Sequence, residues 1–72
     1  MTTTTEKTMK LIRLKEVMEK TGLGRTSIYN FMNAGHFPKS VQLGDRAVAW
    51  VEDEIEAWIE EKIQERDSSN PL

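Results

Sequence analysis

Between Thr21 and Gly35 the chain reads TGLGRTSIYNFMNAG, and six side chains in it carry groups that a nucleic-acid duplex can engage: Arg25, Thr26, Ser27, Tyr29, Asn30 and Asn33. A guanidinium grips guanine, a carboxamide grips adenine, and hydroxyls reach phosphate oxygens or base edges. A helix face that meets only water is more often filled with Glu and Lys than with Thr, Ser, Tyr and two Asn. Interleaved with them, Ile28, Phe31 and Met32 recur at helical spacing, so one side of the stretch can be buried while the other stays free. On such a helix the N-terminal residues reach base edges first, which makes Arg25, Thr26 and Ser27 the leading readers, with Tyr29 and Asn30 next.

Other chemistries find less support. Ser27, Ser40, His36 and Asp45 can be grouped on paper as a hydrolytic set. Caps, turns and loops account for each of them; no nucleophile stands beside a base, and no glycine-rich phosphate loop precedes a helix. No enzymatic activity is expected. His36 is the single histidine and there is no cysteine, so neither a metal site nor a cofactor is expected, and His36 reads as a loop residue near the groove. Trp50 and Trp58 lie on apolar faces and are expected in the core. Tyr29 divides between covering the core edge and reaching outward.

The elements that must hold the six residues follow from periodicity and breakers. Leu11, Ile12 and Leu14 form a short apolar entry. Leu14, Val17, Met18 and Thr21 then fit a first helix of about two turns, ended by Gly22 in a left-handed cap. Leu23 drops back into the core, and Gly24 opens a second helix from about Arg25 to Ala34, closed by Gly35. Met18, Gly22, Ile28 and Phe31 are spaced to lock the two helices together. His36-Phe37-Pro38 forces an extended exit. Val41 to Leu43 and Arg46 to Trp50 read as two strands, with Gly44-Asp45 as a type II′ turn. A last helix, from about Glu52 to Arg66, has acids at its start, Lys62 and Arg66 near its end, and Ile55, Trp58, Ile59 and Ile63 as its buried stripe. The expected fold is mostly α with a small β-hairpin wing, a winged helix-turn-helix in the order helix, helix, strand, strand, helix. Helix 25–34 would read the major groove. The wing, 41–50, would follow the backbone or minor groove, with Arg46 beside its turn and Lys39 at its base as a phosphate contact.

Seventy-two residues make one small domain, expected over 10–67, between a disordered arm at 1–9 and a disordered tail at 68–72. No apolar run approaches the roughly 20 residues of a membrane span, and the absence of cysteine suits a reducing cytoplasm. The formal charge of −2 conceals two unlike halves. Residues 1–50 hold eight Lys or Arg against four acids, a net of +4, and residues 51–72 hold two against eight, a net of −6. A basic part can face phosphates while the acidic part faces solvent or a protein.

The stretches RLKEVMEKTGLGRTSIYNFM, GHFPKSVQLGDRAVAW and VEDEIEAWIEEKI occur in this order over Leu11 to about Arg66. Together they resemble the AlpA-type phage and prophage regulators, relatives of excisionase and MerR-like winged helix-turn-helix proteins. The resemblance implies a bacterial or phage-encoded DNA-binding regulator, with Arg25 to Asn33 in the major groove and Lys39 and Arg46 on the wing. Many relatives carry Ser or Thr where Gly24 caps the second helix. Glycine costs only a few tenths of a kcal/mol there, but any phosphate contact of that hydroxyl is lost. Two alternatives stand beside transcription regulation: an excisionase-like architectural factor in recombination, and a protein-binding module that uses the acidic helix or the polar face of the second helix. A module of this size covers about 600 to 1,000 Å² of DNA interface, so several copies on repeated or inverted sites are expected.

Overall fold

The computed structural model describes residues 10–69, so the expected arm at 1–9 and the last residues of the expected tail lie outside the described residues. The elements run β1 (Leu11–Ile12), α1 (Leu14–Thr21), α2 (Arg25–Asn33), β2 (Val41–Gln42), β3 (Val48–Val51) and α3 (Glu52–Ser69). Three helices and an antiparallel β2–β3 hairpin match the expectation. The initial strand was not expected.

β1 pairs antiparallel with β3, Leu11 opposite Val51 and Ile12 opposite Trp50, so the sheet order is β1-β3-β2. The first two residues of the apolar entry are therefore a strand of the sheet, and Leu14 opens α1. A strand of two residues shows no alternation, and its partner lies far along the chain, so local pattern cannot reveal it. Its Ile12 is almost fully buried beside Val17, Ile28, Phe37, Trp50 and Ile55. Each such side chain contributes about 1.5–3 kcal/mol on burial.

The turn between α1 and α2 is stitched from within. Gly22 adopts φ 76° and donates its N–H to the Met18 carbonyl at 2.8 Å. The Thr21 hydroxyl donates to the Val17 carbonyl at 2.8 Å and accepts from the Leu23 N–H at 3.2 Å. α2 starts at Gly24, which is extended and offers no side-chain cap. It ends in a Schellman arrangement: Gly35 (φ 79°) donates to Met32 O at 3.1 Å and His36 N–H to Phe31 O at 2.8 Å.

The hairpin departs from the expected turn. Val41 pairs with Ala49 and Gln42 with Val48, and the Leu43 N–H donates to Ala47 O at 2.7 Å. This register leaves three residues, Gly44, Asp45 and Arg46, in the loop, and Gly44 does not take the positive φ that a type II′ turn requires. A one-residue change of register flips a strand's side chains: the observed pairing sets Val41 and Leu43 on the face opposite Trp50, where the two-residue turn would set them on the Trp50 face.

α3 runs past Arg66 to Ser69, so Ser68 and Ser69 are helical rather than part of a tail. Ile55 is fully buried and Trp58 and Ile59 are half-buried, but Ile63 is 44 % exposed. It shares a shallow groove with Lys20 and Thr21, where α1 ends and no further core remains to receive it. Phe31, expected on the buried side of α2, is also partly exposed, its ring tilted against Trp58 at 6.3 Å. Among the described residues no helix is long and apolar enough to cross a membrane.

Candidate nucleic-acid interface

α2 is pinned by one face. Ile28 is fully buried, Met32 is half-buried against the core, and the Tyr29 ring meets Trp50 edge-on at 6.4 Å. With 3.6 residues per turn, Thr26, Asn30 and Asn33 then project outward within about 60° of one another. All three are exposed. Arg25 is exposed at the first helical position, while Ser27 and Tyr29 are half-buried on the two flanks of the stripe. Tyr29 is thus partly engaged in packing, and the structure brings Thr26, Asn30 and Asn33 together most clearly.

The polar ends of these residues are not used inside the protein. Arg25, Thr26, Ser27, Tyr29, Asn30 and Asn33 make no side-chain hydrogen bond or ion pair to the described residues. The same holds for Lys39 and Arg46, both exposed, with Arg46 in the hairpin loop. Lys20, by contrast, bridges Glu52 at 3.3 Å and Glu56 at 3.1 Å, tying α1 to α3. The hydrogen bonds it donates to Glu56 and then Glu52 raise its pKa above the ordinary lysine value. Positive charge around α2 and the hairpin therefore stays available, while the acidic helix engages a cation of its own.

The sequence reading omitted Arg13 and Lys15, whose placement depends on β1. Because β1 runs antiparallel to β3, the chain leaves Ile12 toward the hairpin-loop end of the sheet, the end that carries Arg46. Arg13 is the N-cap of α1 and, like Lys15, is exposed and without an ion pair among the described residues. The signal available in sequence was the net +4 of residues 1–50, which counts these residues without placing them.

The spacing between α2 and the hairpin is set from α3. Trp58 Nε1 donates to the His36 carbonyl at 2.7 Å, and its ring packs edge-on against Phe37 at 4.8 Å. Lys62 lies over the same ring at 5.4 Å. Trp58 therefore packs half-buried against the core, as expected, and is also a clamp, to which His36 contributes its backbone carbonyl.

Two helices joined by a tight glycine turn, a polar stripe on the second and an antiparallel hairpin after it define a small helix-turn-helix module. Residues 10–63 match the family described as Prophage CP4-57 regulatory protein (AlpA), and the chain belongs to that family. It is 40% identical over 57 residues to an uncharacterized protein, ORF88, of Enterobacteria phage P4; the match covers 79% of this chain and 65% of the phage protein. It is 35% identical over 62 residues to the DNA-binding transcriptional activator AlpA of Escherichia coli K12, covering 78% of this chain and 89% of that protein.

Proposed function

We propose that the protein is a sequence-specific DNA-binding transcriptional regulator of phage or prophage type, acting without catalysis. α2 enters the major groove, with Asn30 as the adenine-reading side chain at the centre of the stripe, Thr26 and Asn33 on either side of it along the helix, and Arg25 reaching a guanine. The hairpin follows the backbone or minor groove through Arg46, and Lys39 holds a phosphate at its base. Arg13 and Lys15 take further phosphates, since the first helix of such a pair crosses the backbone. The observation that carries this reading is the Thr26, Asn30 and Asn33 stripe: exposed, without internal partners, and fixed from behind by Ile28. Membership in the AlpA family and the relative that is a DNA-binding transcriptional activator support it.

Groups of this kind act on a duplex only if several converge, and one module covers too little surface for tight recognition alone. Several copies therefore sit on repeated or inverted sites. The test is to select bound fragments from a host genome and follow affinity for the best of them against salt. Binding should weaken by roughly 0.9 log unit per phosphate contact for each log unit of salt. Arg25→Ala should relax preference at one base pair by about 1–3 kcal/mol. Salt-independent binding, or equal loss on every sequence for Arg25→Ala, would reject the assignment.

A further inference from the structure

The sheet has two faces, and the main core lies against one of them. Ile12 and Trp50 stand opposite each other on the core side, and α2 packs there through Ile28 and Tyr29. On the other side, Leu11 stands opposite Val51, Val41 opposite Ala49, and Leu43 is bonded across to Ala47. Residues opposite one another share a face, so all six are on this second side, and all six are apolar. An antiparallel sheet that turns one side to water ordinarily places polar residues there. Ala49 at its centre is fully buried and Ala47 and Val51 are half-buried, but Leu11, Val41 and Leu43 keep 41 %, 37 % and 49 % of their surface exposed.

Val41 and Val51 continue into an open groove of about 860 Å³ shared with Glu54, Ala57 and Glu61 of α3. Positions 54, 57 and 61 form one stripe of the helix. Glu54 and Glu61 make no hydrogen bond or ion pair among the described residues. At the groove's edge Lys62 and Glu65 pair with each other at 3.4 Å, which leaves Lys39 on the opposite wall as the opposing charge.

We propose that this face receives a basic, partly apolar segment of a protein partner. Its aliphatic side chains cover Leu11, Val41, Leu43 and Val51, and its Lys or Arg side chains reach Glu54 and Glu61. A second copy of this chain fits less well: a two-fold contact would set four carboxylates, Glu54 and Glu61 of each copy, against only two Lys39 ammonium groups. A stable dimer also buries about 800 Å² per partner, far more than three partly exposed side chains provide.

The probe is an amphipathic Leu/Lys peptide of about eighteen residues, five helical turns, titrated into the ¹⁵N-labelled full chain, with a Leu/Glu peptide of the same pattern as control. The Leu/Lys peptide should shift the amides of Val41, Leu43, Val51, Glu54 and Glu61. Leu/Glu should not bind. Reversing both rim charges, Glu54→Lys with Glu61→Lys, should weaken binding about tenfold, the scale of two exposed charge pairs lost and inverted. Glu60→Lys, off the groove, should leave it unchanged, and Leu43→Ser should weaken it with both acids intact. Equal weakening by Glu60→Lys, or shifts confined to α2, would overturn the proposal. So would concentration-dependent shifts of the same residues without peptide, which would assign the face to a second copy.

Discussion

Asn30→Ala separates what α2 does for the fold from what it does for recognition. The Asn30 side chain is exposed and has no internal partner, so its removal leaves no orphaned group and no cavity. Alanine is the better helix former by up to about 0.7 kcal/mol, so the variant should unfold at an equal or slightly higher urea midpoint with an unchanged m-value. On DNA the expectation is opposite in sign. Loss of a bidentate adenine contact costs about 1–3 kcal/mol of discrimination, or about 5- to 140-fold at one base pair. Anisotropy titrations with a selected duplex and with duplexes changed one base pair at a time give both numbers. The variant should lose preference at one position and bind the others as before. A destabilisation above about 1 kcal/mol, or a uniform loss across all duplexes, would show that Asn30 supports the helix or a phosphate instead.

Arg46→Ala and Arg13→Ala should each weaken every sequence alike and reduce the salt slope by about 0.9, measured as affinity over a range of salt concentrations; an altered base preference would count against backbone contacts. Gly22→Ala should cost about 1–2 kcal/mol in urea unfolding, because φ 76° strains any residue with a Cβ although nothing lies within 4 Å of the added atom. Lys20 has a raised folded pKa, so its contribution to stability is fully present below the ordinary lysine pKa and is lost as pH rises through the folded value. Unfolding at several alkaline pH values should therefore show a decline that Lys20→Met lacks; identical profiles would show that its ties to Glu52 and Glu56 do not couple to folding.

The parts of the fold written in local chemistry were legible. Gly22 and Gly35 mark both helix ends because only glycine takes a left-handed cap without strain. The polar stripe on α2 was legible from spacing alone, since Ile28 fixes the helix azimuth and Thr26, Asn30 and Asn33 must then face away. What depended on distant partners was not. β1 consists of two residues that become a strand only against β3, and without it Arg13 and Lys15 had no address. Gly44-Asp45 suits a two-residue turn, yet pairing of Val41 with Ala49 imposes a three-residue loop. Ile63 keeps the period of a buried stripe, but period does not tell where the neighbouring body ends. Trp58 reads as core by hydropathy, whereas its clamp on the His36 carbonyl depends on a turn folding back from twenty-two residues away.

Amide chemical shifts of the full chain during titration with a genome-selected duplex test the central claim most directly. The account predicts large shifts at Thr26, Asn30 and Asn33, with smaller ones at Arg13, Lys39 and Arg46, and a quiet α3 from Glu56 onward. Movement confined to the acidic helix, with Arg25 through Asn33 silent, would contradict it.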